Sequence, residues 1–570
     1  MKSATRIPGS TAVFICLVTI VSSHAAAQEN KRLVTQPPGS ALNRVFTTNY
    51  AQPVIQGFEG RGEARLDSMI KDGKLELSQE DAIRLALENN VDINVERYTP
   101  YFSAWGIEKG RAVLNPIVQF NSNINRLVTP ASSLLQGGTT VLNLASVYDL
   151  TVHKPFEPGL DLDFEFKTTR SRTNNFFVSL NPALAPTLSL NLTQHLLKDQ
   201  GRITRNRAVR IARNTITMSE DTFVARVTDL LNNVLNSYWD LVYGDEDIKL
   251  KEAALKAAQL VLDQNRIQAE VGTMAPLDVV QAEAEVASRN QQLVVSRFNR
   301  KITESQMKKL ISSRTDPGLV DALIVTTSKP NLPAPAAADI AQAIQRATEI
   351  RPEVKQALLD QENKKIQIDY TRNQLRPTLD FVAGYSQNGL GGIMTNRDFS
   401  NGFIGAPIIG VIPGGFWDSM DSLFSRKYLG YVLGLNLRIP IGNDDARANS
   451  AQAQIDYRQG EERLKSLRQS IALEIRQAYD RLDMNQASVQ AAEVTVRYQQ
   501  QRLQGEQDKY SLGATTTRSI IEAQRDLQDA QTTLLKARID LIKSRIALDK
   551  ALGETFSAHN IEVQDALWGK

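Results

Sequence analysis

Two periods divide this chain. Leu429, Tyr431, Leu433, Leu435, Leu437 and Ile439 alternate with Gly430, Val432, Gly434, Asn436 and Arg438, which predicts a strand over about 427–441. Leu188, Leu190 and Leu192 alternate with Ser189, Asn191 and Thr193 inside a strand expected over about 176–198. Weaker alternation, carried by Val118, Phe120 and Ile124 and by Leu379, Phe381 and Tyr385, predicts strands over about 116–128 and 377–388. Each run reaches the length of about 10 residues that a tilted membrane-crossing strand requires. One face is apolar and the other polar or small, as lipid-facing and lumen-facing positions must be.

Elsewhere the period is helical. The 71 residues from Gly201 to Gly272, and again from Gly442 to Gly513, predict helices of about 105 Å. Return helices are expected over about Pro276–Ser312 and Thr517–Leu552, and short helices over about Gln79–Ala112 and Ala338–Asn373. A return helix and a short helix together again span about 105 Å, so continuous helices would alternate with stacked pairs in one cylinder. The faces in "AALKAAQLVLDQNRIQAEV" suit coiled-coil packing.

The two halves are copies. An offset of 241 places Gly201 on Gly442, Tyr238 on Tyr479 and Gly272 on Gly513. Upstream, an offset of 261 places "AIRLALENNVDI" on "AIQRATEIRPEV", so one loop between Pro116 and Leu188 is longer in the first copy by about 20 residues. The expected organisation is a leader over 1–27, a loosely ordered tail over 28–76, a first repeat over 77–311, a connector over 312–338, a second repeat over 339–553 and a tail over 554–570. The helix breaks that join long and return helices fall at 272–276 and 513–517.

Four strands per chain cannot close a barrel, and an open edge would leave unpaired amides in hydrocarbon. Two copies would give eight strands and a filled interior; three would give twelve and room for water. The fold class expected is therefore an α+β membrane protein, a trimeric twelve-stranded barrel continued by a long helical barrel.

Composition narrows the chemistry. Lys2 and Arg6, the apolar run from about Thr11 to Val21 and Ala25-Ala26-Ala27 have the layout of a secretory signal peptide. Cys16, the one cysteine, lies in its apolar part rather than at the cleavage point, so neither a lipoprotein anchor nor a disulfide is expected. His153, His195 and His559 are far apart, and no metal or other cofactor is expected. A net charge of +3 gives no nucleic-acid footprint. No nucleophile set or phosphate loop has a catalytic context, so the chain is not expected to be an enzyme. The competing reading is an exported coiled-coil structural or adhesive protein. The segment "GFIGAPIIGVIPGGFW", Gly402–Trp417, is unusually apolar for a loop between outer strands and is left without a role.

"LSQEDAIRLALENN", "SYWDL" and the paired glycine breaks followed by "LDVVQAEAEV" and "SIIEAQRDLQDAQ" resemble the TolC-like outer-membrane efflux protein family over about Leu77–Gly553. The resemblance implies a homotrimeric passive channel in outer-membrane lipid with a large periplasmic part. A periplasmic adaptor, itself bound to an inner-membrane pump, would engage it to export small molecules or secreted proteins.

It also implies that the breaks are the tips at the periplasmic mouth. Gly272, Thr273, Met274, Gly513, Ala514 and Thr515 would dock the adaptor, and Asp278, Arg518, Ser519 and Glu522 would occupy the gate. In the family, acidic residues past the second tip ring the entrance; mapped by Gly513, the first such position is Ser519 here and the second is Glu522. The arginine often found two residues after that glycine is Thr515, with Arg518 three residues further on, and Asp278 matches the acid after the first tip. On this reading three Glu522 side chains form a constriction, and Arg518 pairs with Asp278 across neighbouring hairpins.

Overall fold

The computed structural model describes residues 34–35, 50, 52, 54–55, 63–132, 138–313, 317–329, 339–400 and 406–561. The expected leader over 1–27 lies outside the described residues, as do most of 28–62, residues 401–405 of the apolar loop and the end of the tail from 562. The chain forms two compact units, one built on residues 104–214 and 361–460 and the other on 31–103, 215–360 and 461–570.

The principal helices are α1 (Gln79–Asn89), α2 (Val91–Arg111), α3 (Arg207–Glu270), α4 (Pro276–Ile311), α5 (Ile340–Ile350), α6 (Pro352–Gln374), α7 (Asp444–Ser511) and α8 (Thr517–Leu552). No helix among the described residues is long and apolar enough to cross a membrane.

The first unit carries the sheet: β1 (Ile117–Pro130), β2 (Thr140–Pro155), β3 (Leu160–Thr173), β4 (Leu180–His195), β5 (Thr378–Asn388), β6 (Gly391–Arg397), β7 (Ile408–Ile412) and β8 (Leu429–Arg438). Antiparallel pairing joins the long strands in the order β1-β2-β3-β4-β5-β8.

This corrects the expected four strands per chain. β2 and β3 form a hairpin inside what was read as a lengthened loop, and β4 begins at Leu180, pairing on one side with β3 rather than β1. The cause is legible in β3, where Leu160, Leu162, Phe164 and Phe166 alternate with Asp161, Asp163, Glu165 and Lys167, a period-two pattern as clean as any in the chain.

Register sorts the side chains into two faces, because residues opposite one another in the ladder share a face. The row Val118, Val152, Phe164, Leu190, Tyr385 and Tyr431 crosses all six long strands with an apolar or aromatic side chain on each. The adjacent row, Gln119, Thr151, Glu165, Ser189, Ser386 and Gly430, points to the other face and is polar apart from its glycine.

The short strands β6 and β7 and the helix Phe416–Phe424 occupy the connection between β5 and β8. A Cβ on Gly389 or Gly391 would collide with the backbone of Ser419, and Gly389 lies beside Pro186, which is in register with the apolar side of β3. The short helix is thus seated on the apolar face, where Ser419, Met420 and Leu423 are buried while Phe416, Trp417 and Phe424 stay exposed. Glycine is required at both positions because any side chain would lift the helix off the sheet.

The second unit holds two helical cores. One gathers Leu231, Val234, Leu235, Tyr238 and Leu241 of α3 with Leu535, Ile539 and Ile542 of α8. The other gathers Ile471, Ile475, Tyr479 and Leu482 of α7 with Leu541 and Leu548. Val234, Tyr238 and Leu241 each precede Ile475, Tyr479 and Leu482 by 241 positions, so the same helical stripe is apolar in both long helices.

Each expected short helix is broken about a third of the way along. Asn90 and Arg351, 261 residues apart, are both extended, and each caps a return helix. Asn89 and Asn90 donate from Nδ2 to the carbonyls of Ile311 and Leu310 at 3.1 and 3.0 Å, and Asn90 Oδ1 accepts from the amide of Asp92. Arg351 Nη1 donates to the carbonyl of Ala551 at 3.3 Å. The last carbonyls of α4 and α8, which have no partner within their helices, are thereby satisfied by the next stacked segment.

The tail expected over 28–76 is also corrected at its end. Residues Glu63–Met69 are helical, and Ile70–Lys71 and Lys74–Leu77 form a hairpin about Asp72-Gly73, both residues having positive φ. Asp-Gly is a turn pair that reverses two strands with the natural twist. Leu66, Leu75 and Leu77 are fully buried, and Leu323–Thr326 of the connector adds a parallel third strand. The Tyr238 hydroxyl donates to the carbonyl of Leu77 at 3.2 Å and accepts from the amide of Ser328, tying this small sheet to α3.

Candidate entrance at the helical tips

The two helix breaks have the same geometry. α3 ends at Glu270 and α4 starts at Pro276; α7 ends at Ser511 and α8 starts at Thr517. Gly272 and Gly513 have φ of +81° and +69°, a left-handed conformation that costs glycine little. At the first tip the Thr273 amide reaches back to the carbonyl of Gln268 and the Gly272 amide to that of Ala269, at 2.9 and 3.0 Å. At the second, the Ala514 amide reaches Lys509 and the Gly513 amide reaches Tyr510, at 2.8 and 2.9 Å. This paired closure is a Schellman turn, made at both ends by residues in matching positions.

The residue before each glycine is an exposed aliphatic, Val271 at 75% and Leu512 at 82% exposure. Leu277 and Val280 are exposed beside the first tip. Each tip therefore offers an apolar side chain on an open backbone: nothing lies within 4 Å of a Cβ placed on Gly272 or Gly513. Val271 and Leu512 escaped the sequence reading, though the 241-residue offset that pairs the glycines also pairs them.

Of the expected docking residues, Met274 is half-buried and Thr273 bonds through Oγ1 to Gln268. Thr515 donates to Glu506 Oε2 at 3.1 Å, and Lys509 reaches Glu506 at 2.8 Å. Those bonds, Lys509 first, hold the Glu506 carboxyl below its usual pKa. The side chain standing where the family arginine is expected thus anchors its own turn.

The gate residues are placed as follows. Asp278 is third in α4, half-buried, its amide bonded to the Ala275 carbonyl, and Ser519 holds the matching place in α8 with its amide on Thr516. A carboxylate in a first turn also stabilises the helix dipole. Arg518 Nε donates to Glu522 Oε1 at 2.9 Å within one helix, and no Arg518–Asp278 pair forms among the described residues of the single chain. The helix geometry favours the local partner, since residues four apart share a face. The pair is weak: it is exposed, worth about 0 to 1 kcal/mol, and its arginine lies in the first turn, where the dipole disfavours a cation.

Other contacts join the two hairpins within the chain. The Tyr510 hydroxyl donates to Gln268 Oε1 at 3.1 Å, linking the end of α7 to the end of α3. Further along, buried Arg289 of α4 is held by Glu285 at 2.6 Å and donates to the side-chain oxygen of buried Gln528 of α8. Close to its tip each hairpin is bridged across its arms by an ion pair, Arg266–Glu283 at 2.8 Å and Arg502–Asp526 at 2.6 Å, and Arg297–Glu252, Arg300–Asp245 and Arg538–Glu493 bridge the arms further along. Gln268 and Tyr510 were not anticipated, because neither has a counterpart of like chemistry in the other copy.

A family model described as outer membrane efflux protein matches residues 151–313 and 343–554. The chain is similar to outer membrane protein TolC of Escherichia coli K12, 24% identical over 376 residues that cover 65% of this chain and 70% of that protein. Its fold is similar to the CmeC outer membrane channel of Campylobacter jejuni, with a TM-score of 0.58 and 14% identity over 96% of this chain and 98% of that one. The outer membrane protein VceC of Vibrio cholerae gives a TM-score of 0.57 and 15% identity over 83% and 96%. At these identities the solved structures establish a likeness of fold alone.

Proposed function

Because the chain belongs to the outer membrane efflux protein family, a family of the bacterial outer membrane with a large periplasmic part, we propose that it is the passive outer section of a tripartite export path. Three copies form the channel, a periplasmic adaptor meets the tips, and an inner-membrane pump supplies the energy. Small molecules or secreted polypeptides are the cargo.

One observation carries this reading: both tips close in the same turn and expose an aliphatic side chain in the same place. A helix merely ending in water has no need of Val271 or Leu512, whereas a partner that covers them gains roughly 25 cal/mol for each Å² of apolar surface buried. An exported coiled-coil structural protein would account for the helices but not for a sheet with one apolar face.

The same reading extends to a gate formed by residues past the second tip. Three Glu522 carboxylates converge at the mouth, each only loosely held by Arg518 of its own helix, so the constriction keeps negative character.

Val271→Asp combined with Leu512→Asp is the test of docking. The double variant should still reach the outer membrane as a heat-modifiable trimer but should lose adaptor co-purification and transport; undiminished transport would move docking elsewhere. In planar bilayers Glu522→Gln should weaken cation preference and divalent-ion block, and unchanged currents would remove the carboxylate ring.

A further inference from the structure

We propose that the outer-membrane section is an eighteen-stranded barrel, six strands from each of three copies, and so considerably wider than a twelve-stranded one. The proposal rests on the trimeric outer-membrane reading above and adds the strand count and the bore.

The hairpin of β2 and β3 is part of the wall rather than an appendage. β1 is paired with β2 from Ile117 to Pro130, and β3 with β4 from Leu160 to Ser171, while β1 and β4 share no ladder. Removing the hairpin would leave two strands with unpaired edges in the middle of the sheet. Its length matches its neighbours: β2 has 16 residues and β3 has 14, beyond the 9 to 11 that a tilted crossing strand needs.

Its chemistry matches as well. Leu150 and Val152 of β2 and Leu162, Phe164 and Phe166 of β3 continue the apolar face between Phe120 of β1 and Leu188 of β4. Asp149 and Thr151, with Asp163, Glu165 and Lys167, continue the polar face. A hairpin outside the membrane has no reason to present Phe164 in the same row as Val118 and Tyr431. One inside a wall between lipid and water must do so.

The free edges are β1 and β8, which end the six-strand order. Their directions are opposite, because β1 leads away from α2 and β8 leads into α7, and every ladder between them is antiparallel. Edge β8 of one copy can therefore meet edge β1 of the next without breaking the alternation. Six strands are too few to close alone, since about eight are needed merely to enclose side chains.

With strands about 4.8 Å apart and tilted about 40°, eighteen give a backbone diameter of about 36 Å, against about 24 Å for twelve. That is the class of barrel that leaves an aqueous channel. Lined by Asp163, Glu165 and Lys167 of both signs, it is a wide polar conduit that does not itself select cargo.

Cys16 is the chain's one cysteine and lies in the expected leader, so single thiols can be introduced cleanly. Phe164→Cys and Glu165→Cys in the full-length channel, reconstituted in liposomes, are treated with a charged membrane-impermeant thiosulfonate or a bilayer-soluble maleimide. Leu433→Cys on β8 serves as reference.

Glu165→Cys should react with the charged reagent, whereas Phe164→Cys should behave like Leu433→Cys, reacting with the bilayer-soluble reagent and showing no charged labelling. Charged labelling of Phe164→Cys with Leu433→Cys still protected would put the hairpin outside the membrane and overturn the proposal alone. Charged labelling of Leu433→Cys would overturn the membrane reading with it. The strand count in a cross-section of the unmodified trimer, eighteen or twelve, decides the matter without any variant.

Discussion

Asp549, Glu220 and Asp221 show how far single side chains depart from their ordinary chemistry in the helical unit. Burial raises the pKa of all three carboxyls; repulsion from Asp221 adds to it for Glu220, and Arg545, bonded to Asp549 at 3.0 Å, only partly opposes it. Arg351 is the opposite case. Burial alone would lower its pKa, but its hydrogen bonds to Glu353 and Glu474 outweigh that and raise it.

The sign for the acids is fixed by linkage. Between the ordinary carboxylate pKa of the unfolded chain and the raised folded value, the folded state holds more protons, so stability falls as pH rises through that window. Asp549→Asn should flatten this slope in thermal unfolding followed from about pH 4 to about pH 7. An unaltered slope would mean the carboxyl is effectively solvated. At this scale the sequence reveals what backbone geometry compels: Gly272 and Gly513 are visible because a left-handed turn favours glycine. Tyr510 and Gln268 are not, because a hydrogen bond between positions 242 apart leaves no local pattern.

Elements were legible where their period was sustained. α3, α4, α7 and α8 lie close to their expected spans, and β5 and β8 within a few residues of theirs. The breaks at Asn90 and Arg351 were missed because the helical period resumes after a single extended residue, although Pro352 marks the second. β2 and β3 were hidden by the repeat itself, since residues with no counterpart in the second copy read as a loop despite the alternation of β3.

The hairpins of α3–α4 and α7–α8 are elements whose linkage can be tested. Tyr510→Phe removes the bond to Gln268, worth about 0.5 to 1.5 kcal/mol, together with the longer one accepted from the Thr517 hydroxyl at 3.5 Å, and leaves the ring in place. It should raise the fraction of time a reconstituted channel spends open without altering the fully open conductance. Identical open fractions would mean the hairpins are held by other contacts, of which Arg289 with Gln528 is the first to examine.

At the scale of the whole molecule the sheet is the incomplete part. Its edge strands β1 and β8 are exposed along their length, and in hydrocarbon their free amides demand a partner. Leu433→Pro removes one backbone donor from edge strand β8 and stiffens it. It should reduce trimer recovered from the outer membrane far more than Trp417→Ala, a change of an exposed aromatic on the short helix. Equal recovery would show that the chains assemble through their helices alone.

That more than one copy must pool its strands could be argued from open edges before any coordinates; that each copy brings six strands could not, because a repeat comparison counts what two halves share. The hairpin of β2 and β3 carries a rule of growth. In the proposed wall, inserting a pair of antiparallel strands returns the chain to the end of the sheet it left, so β4 still leads into α3. A single inserted strand would strand α3 on the outer surface. A wall of the proposed kind, with three copies, would therefore widen only two strands per chain at a time, six around the ring, with no intermediate width open to it.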